Sequence, residues 1–124
     1  MSNAVLITVK RFPQPCDKAA GKLFLREIRE FVDSAHRPRL IVDLSEINQI
    51  SPEAIDLLLK CVGYTDSNDG EFSVAGASPR TAVMLELTQA DSVLNIFNSV
   101  VEATDGRELN EFDSEEQYPQ TNAA

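Results

Sequence analysis

Hydrophobic and polar positions along the chain form patterns that predict strands and helices in turn. Short apolar runs predict strands at 5–9, 40–44 and 72–75, and the run at 93–97 fits a strand or a loop. Between them, apolar residues recur every three or four positions, as in amphipathic helices. The order β-α-β-α-β-α-(β)-α is typical of parallel strands joined by right-handed crossovers. The pattern predicts an α/β fold, with a small, mostly parallel central sheet of about four strands covered by about four helices.

Capping residues define the expected ends of these helices. Asp17 is placed to cap the first helix, and Pro38 ends it. Pro79 opens a third helix over 79–87, and Ser99 opens a last helix that is expected to fade near residue 109. The apolar residues expected to face the core are Leu23, Phe24, Ile28, Phe31, Val32 and Ala35 in the first helix, Ile55, Leu57, Leu58, Leu59, Cys61 and Val62 in the second, and Val83, Met84 and Leu87 in the third.

Two internal stretches are expected to be irregular. Pro13 and Pro15 argue against both helix and central strand in 10–16. The polar stretch 64–70 ends in Asn-Asp-Gly and predicts a turn after the second helix.

Charge is unevenly distributed along the chain. Eleven basic and twenty acidic side chains give a formal net charge of −9, and residues 102–124 hold seven of the acids with one base. We therefore expect one domain over 1–109 and an acidic, disordered tail over 110–124. Nucleic acid and anionic membrane surfaces would repel such a chain, so neither is expected as a partner. The tail either keeps the protein in solution or acts as a self-masking segment that competes for a basic partner surface.

The inventory of reactive side chains predicts no catalytic residue, metal or cofactor. The single histidine, His36, follows a predicted helix, where a cation is favourable, and the five glycines form no phosphate-binding loop. Cys16 and Cys61 are expected to be free thiols in a reducing compartment. No apolar run is long enough for a membrane span and the first residues lack a signal-peptide pattern, which predicts a cytoplasmic protein with no direct membrane insertion.

One segment is nevertheless a candidate binding site, at the start of the second helix. Ser51 is a good N-cap, Pro52 a good first residue and Glu53 a good acid for the first turn, so helix formation alone accounts for all three. The segment also follows the end of a central strand, where ligands of open α/β sheets bind. A helix N-terminus in this place suits an anion or a phosphorylated side chain.

Several segments in a consistent order resemble the STAS domain, the family of bacterial anti-sigma factor antagonists and of the cytoplasmic tails of sulfate transporters. Residues 40–45 resemble its central strand with Asp-Leu, and 72–80 resemble its third strand and Ser-Pro-Arg turn. Residues 83–88 resemble the helix that ends in Leu-Glu-Leu-Thr, and 96–99 the run before the last helix. The resemblance covers about residues 5–109.

The resemblance implies a STAS-like fold and a non-enzymatic interaction module. Such a module binds an anti-sigma factor or serine kinase-like protein to regulate sigma-dependent transcription. The resemblance implies a partner-binding face at the start of the second helix, formed by Asn48, Ser51, Pro52, Glu53 and Asp56. The family's phosphoacceptor aligns with Pro52, which has no hydroxyl. Three interpretations remain open: constitutive binding, a fixed negative charge from Glu53, or phosphorylation of Ser51 instead. Gln89 stands where the family has glycine, which suggests an altered helix end.

Two other functions fit the same sequence. STAS domains also occur as subunits of transporter and stress-signalling assemblies, and the loss of the phosphoacceptor suits such a non-switching role. A nucleotide- or small-molecule-binding sensor is the remaining alternative, although no phosphate-binding loop supports it. An exposed edge strand or apolar helix face would also allow a homodimer.

Overall fold

A four-stranded, all-parallel sheet forms the centre of the computed structural model, which describes residues 7–104. The strands are β1 (Ile7–Arg11), β2 (Arg39–Asp43), β3 (Glu71–Ala75) and β4 (Asn95–Phe97), in the spatial order β1-β2-β3-β4. The predicted central position of the second strand is confirmed, because β2 pairs with β1 on one side and with β3 on the other.

Four helices cover the two faces of this sheet unequally. They are α1 (Lys18–Ser34), α2 (Pro52–Ser67), α3 (Pro79–Leu87) and the short α4 (Val100–Thr104), with a 3-10 turn at Ala90–Ser92 between α3 and β4. The crossover helices α1 and α2 pack side by side and contribute to the larger apolar cluster, whereas α4 contributes to a separate, smaller one. The predicted α/β architecture of about four strands and four helices is therefore confirmed.

Alternation along β2 shows how the two clusters divide the core. Leu40 and Val42 belong to the larger cluster, together with Phe24 and Ile28 of α1. Ile41 lies between them in sequence and belongs to the smaller cluster on the opposite face. Because neighbouring strand residues point to opposite faces, both sides of this strand are apolar, as expected for a covered parallel strand.

The structure corrects two predicted loop boundaries. Residues 10 and 11 lie in β1, because the strand stays paired with β2 until just before Pro13; the Phe12 N–H still donates to the Asp43 carbonyl at 3.0 Å. Residues 64–67 continue α2 rather than forming a turn. Thr65 is fully buried and donates to the Cys61 carbonyl at 2.7 Å, so tertiary packing extends the helix through a polar stretch.

Three side chains expected in the core are instead exposed. Leu23 is 48% exposed because the buried stripe of α1 is formed by Phe24, Ile28 and Val32. In α3 the buried residues are Thr81 and Leu85, and the predicted Val83 and Leu87 are 51% and 72% exposed. Apolar residues occur on several sides of this nine-residue helix, so spacing alone could not select the buried face.

The predicted start of the last helix is confirmed, whereas its predicted end lies outside the described residues. The Ser99 hydroxyl accepts the Glu102 N–H at 3.0 Å, and the Glu102 carboxylate accepts the Asn98 N–H at 2.9 Å, which is a capping arrangement at the start of α4. Residues 105–109 and the acidic tail over 110–124 lie outside the described residues. The boundary of the domain and the disorder of the tail stay predictions.

Gln89 adopts a left-handed backbone conformation immediately after α3. Its φ is 64°, and its N–H donates to the Glu86 carbonyl at 3.0 Å. A side chain in this region is sterically unfavourable, which explains why glycine suits this helix end. The helix end that the sequence predicted to be altered therefore has a left-handed backbone, and Gln89 occupies a position where glycine would be less strained.

Gln89→Gly is accordingly expected to raise the free energy of unfolding by about 1 kcal/mol, because glycine relieves the left-handed strain. Urea denaturation measures the change. Glu86→Gly is the matched control, since it places glycine at an exposed position inside α3, where it should cost about 1 kcal/mol. Equal destabilisation by both variants would contradict this explanation.

Candidate functional site

The first turn of α2 forms as the sequence predicts. Ser51 is the N-cap with extended backbone, and its hydroxyl accepts the Ala54 N–H at 3.1 Å. Pro52 occupies the first turn, where its missing N–H has no intrahelical partner to lose. Glu53 follows, and its charge is favourable near the positive end of the helix dipole. All three residues are exposed, so the side chains that cap the helix are also available at the surface.

Two contacts from the start of α3 hold the loop that leads into this turn. The Ser78 hydroxyl donates to the Asn48 carbonyl at 3.4 Å, and the Arg80 guanidinium donates to the Gln49 side-chain oxygen at 3.3 Å. Ile47 and Ile50 anchor the loop in the core. The N-terminus of α2 therefore lies on a loop that is fixed from both sides.

A glycine is required beside the end of β2. Asp43 is only 8% exposed, and its carboxylate accepts the Ser45 N–H at 2.9 Å. Gly76 has φ +78°, and a Cβ there would lie 3.2 Å from the Asp43 Oδ1 and from the Ser45 Cβ. The left-handed backbone and the close approach both favour glycine, so this residue lets the chain after β3 pass close to the loop that supports the site.

The N-terminal turns of α1 and α2 enclose a groove of about 680 Å³. Four of the five predicted site residues line it: Ser51, Pro52, Glu53 and Asp56. The fifth, Asn48, is exposed but lies outside the lining and contacts α3 through its carbonyl. The remaining lining residues are Cys16, Asp17, Lys18, Gly21, Lys22 and Leu25 on the α1 side and Ala54, Leu57 and Lys60 on the α2 side.

The α1 wall of this groove was not recognised in the sequence. Asp17 was the one residue of this wall that the sequence pattern marked, as the cap of α1. Its carboxylate accepts the Ala20 N–H at 2.8 Å. Two crossover helices between parallel strands begin at the same edge of a sheet, so the N-termini of α1 and α2 had to be neighbours. The sequence located the α2 wall through its capping residues but gave no direct sign that α1 supplies the other.

Polar contacts join α1 and α2 near their C-terminal ends. The Tyr64 hydroxyl donates to the Asp33 carboxylate, and the Arg29 guanidinium lies over the Tyr64 ring at 5.4 Å from its centre. The hydrogen bond to Asp33 raises the pKa of Tyr64, because deprotonation would remove the donor and place two negative charges together. This contact fixes the two helices relative to each other, and with them the walls of the groove.

The two cysteines differ in accessibility. Cys16 is half-buried in the groove, and burial together with the charge of Asp17 raises the pKa of its thiol. Cys61 is fully buried on α2, and burial raises the pKa of its thiol to about 12. Both are free thiols, as predicted.

The groove lies apart from the single histidine in the part of the chain that the structure describes. His36 is exposed beyond the end of α1 and does not line the groove. Within residues 7–104, no three side chains among His, Cys, Asp and Glu are grouped so that they could hold a metal ion. Over the same residues, no helix has the length and apolar character needed to cross a membrane.

The described residues form a small α/β domain with a parallel four-stranded sheet. Its crossover helices start at one edge of this sheet, and the N-terminus of α2 is exposed there. The model of the STAS domain family matches residues 4–103, and the chain belongs to this family. The resemblance noted in the sequence is thereby confirmed. No curated protein matches the chain.

Solved structures of low sequence identity share the fold. A candidate anti-sigma factor antagonist from Thermotoga maritima is 18% identical, with a TM-score of 0.64 over 85% of this chain and 81% of that one. An anti-sigma-factor antagonist (STAS) domain protein from Planctomyces limnophilus is 21% identical, with a TM-score of 0.68 over 78% and 86%. The STAS domain of a SulP transporter from Vibrio cholerae is 15% identical, with a TM-score of 0.59 over 81% and 77%.

Proposed function

We propose that this chain is a non-enzymatic protein-interaction module of the anti-sigma factor antagonist type. It binds a kinase-like anti-sigma factor in the bacterial cytoplasm and thereby regulates sigma-dependent transcription. The observation that carries the proposal is the exposed and well-supported N-terminus of α2 in a chain of the STAS family. Asn48, Ser51, Pro52, Glu53 and Asp56 form the proposed contact face.

The groove beside this face has the character of an interaction surface. Leu25 and Leu57 supply apolar surface within it, whereas Glu53 and Asp56 supply exposed charge. An apolar centre with a polar, hydrated rim is the usual arrangement of protein interfaces. The fixed loop before α2 adds preorganisation, which reduces the entropy lost when a partner binds.

Because Pro52 stands at the phosphoacceptor position, we expect the chain to bind its partner constitutively. Its side chain has no hydroxyl to accept phosphate, so the switch expected of related antagonists has no acceptor there. Glu53, one residue further along, keeps a permanent negative charge in the first turn of α2. A phosphate on Ser51 would be a displaced switch, but the Ser51 hydroxyl already serves as the helix cap.

Ser51 variants separate the capping role from a phosphorylation role. Ser51→Ala is expected to lower the free energy of unfolding by about 1 kcal/mol, because the Ala54 N–H loses its acceptor. Ser51→Asp should keep the stability within about 0.5 kcal/mol, because aspartate is an equally good cap. Urea denaturation tests stability, and calorimetric titration with the anti-sigma factor tests affinity. A large loss of affinity in a fully stable Ser51→Asp variant would show that Ser51 is a switch.

Isothermal titration calorimetry tests the main proposal. The full chain is titrated with each kinase-like anti-sigma factor encoded in the same genome. We expect one of them to bind at micromolar concentration or below, with or without phosphate donors present. Absence of binding heat and of co-elution with every such factor would refute the proposal.

The second candidate function is a STAS subunit of a transporter or a stress-signalling assembly. The fold similarity to the SulP transporter domain favours it, and Pro52 suits a module that does not switch. Co-purification from membranes distinguishes the two functions. A transporter protein recovered in stoichiometric amount would support this second function over sigma regulation.

A further inference from the structure

A row of three basic side chains follows the exposed side of α1 next to α2. Lys18, Lys22 and Arg26 are spaced four residues apart, which places them on one side of the helix, and all three are exposed. None of them has an ion-pair partner among residues 7–104. We refer to these three residues as the basic row. Such a row is unexpected in a chain whose net charge is −9.

Four other basic residues among those that the structure describes form ion pairs with nearby acids. Lys10 contacts Glu27 at 2.6 Å, and Arg39 contacts Glu71 at 3.0 Å. Lys60, across the groove, contacts Asp56 at 3.5 Å. Local pairing therefore neutralises much of the positive charge elsewhere and leaves the basic row able to attract an acidic segment.

The basic row borders the apolar part of the groove. Lys18 and Lys22 line the groove and are exposed, whereas Leu25 and Leu57 belong to the same lining and are half-buried. A bound segment that fits this surface would have carboxylates on one side and apolar or aromatic side chains on the other. The acids Asp17 and Glu53 lie at helix N-termini, where the helix dipoles offset part of their charge.

The chain itself contains a segment of this composition. Residues 105–124 include six acids and one base; Leu109 and Phe112 lie between the acids, and Tyr118 follows the last of them. Twenty residues can extend over about 65 Å, whereas α1 with its seventeen residues is about 25 Å long. When extended, the segment is therefore more than twice as long as α1, which forms one wall of the groove.

We propose that residues 105–124 bind in the groove of their own chain, with carboxylates against the basic row and aromatic side chains against Leu25 and Leu57. The bound segment covers Ser51, Pro52 and Glu53. Exposed ion pairs are individually weak and are screened by salt, so a partner can displace the segment. That this masking regulates partner binding rests on the proposed function, whereas the binding of the segment itself does not.

Cys16 provides a natural probe of the groove. It is half-buried in the lining, while Cys61 is fully buried and has a pKa near 12, so only Cys16 should react with N-ethylmaleimide in the folded chain. The uncharged reagent is added to the full-length protein at pH 7.5, and intact-mass spectrometry follows the labelling rate. A bound segment slows this rate by covering the thiol.

The test compares two tail variants that carry the same charge as the natural chain. Phe112→Ser combined with Tyr118→Ser should label Cys16 at least fivefold faster than the natural chain does. Gln117→Ser combined with Gln120→Ser is the matched control and should label at the natural rate. Both variants keep the net charge of the natural chain, because only uncharged residues are exchanged. Addition of 0.5 M NaCl should accelerate labelling of the natural chain and leave the aromatic variant almost unchanged.

Equal labelling rates in all three proteins, together with no effect of salt, would overturn the proposal. Protection that increases with protein concentration would also overturn it, because the segment of a second copy would then occupy the groove. The assay contains no partner protein. A negative labelling result would therefore leave the proposed anti-sigma function standing. Absence of partner binding would in turn leave the labelling result unchanged.

Discussion

Glu53→Lys is expected to weaken binding of the anti-sigma factor at least tenfold while the chain stays folded. Glu53 is exposed in the first turn of α2 and lies at the centre of the proposed contact face. Reversing a charge at an interface removes a favourable pair and introduces a repulsive one, which typically affects dissociation strongly. The cost to stability should stay within about 1 kcal/mol, because only the interaction with the helix dipole is lost.

Calorimetric titration of the purified variant measures this effect, and urea denaturation verifies the fold. Glu30→Lys is the matched control, since it makes the same charge change at an exposed position of α1 outside the groove. The control should bind like the natural chain. Comparable loss of affinity in both variants would indicate a general effect of net charge and would contradict a specific role for Glu53.

Leu58→Ala is expected to lower the free energy of unfolding by about 3 kcal/mol, the largest stability effect predicted for this chain. Leu58 has no exposed surface and packs in the larger apolar cluster, on the side of α2 that faces the sheet. Removal of its side chain loses apolar contact and leaves a cavity beneath the helix that carries the candidate site. Urea denaturation at constant pH measures the change.

Leu87→Ala is the control for this prediction, because Leu87 is on α3 and is mostly exposed. It should change stability by less than about 0.5 kcal/mol. The pair also tests the corrected orientation of α3. A cost for Leu87→Ala similar to that for Leu58→Ala would mean that α3 buries the face predicted from the sequence.

Strands and helix starts could be predicted because each has a local cause. The apolar run at 40–44 needs cover on both faces, and it became the central β2. Asp17 and Ser51 cap α1 and α2 through hydrogen bonds three residues along, which sequence spacing already indicates. The end of α2 depended on a non-local cause, the burial of Thr65 against the core, and was missed.

The candidate site was predictable on one side only. Ser51 and Glu53 were found because they follow a central strand and open a helix, and the structure places both in the groove. The opposite wall, with Cys16 and Lys22, has no distinctive motif and becomes visible only when α1 and α2 are packed together. Asn48, also predicted for this face, is exposed but does not line the groove, and its backbone carbonyl accepts the Ser78 hydroxyl.

Comparative affinity capture shows whether the N-terminus of α2 recruits an anti-sigma factor in cells. The tagged natural chain and the Glu53→Lys and Glu30→Lys variants are each recovered from their own cells, and quantitative mass spectrometry identifies the bound proteins and any phosphate on Ser51. We expect a kinase-like anti-sigma factor to accompany the natural chain and Glu30→Lys, with Ser51 unmodified, and to be depleted at least tenfold with Glu53→Lys. Recovery of a transporter protein instead, or equal recovery of the anti-sigma factor with all three chains, would contradict it.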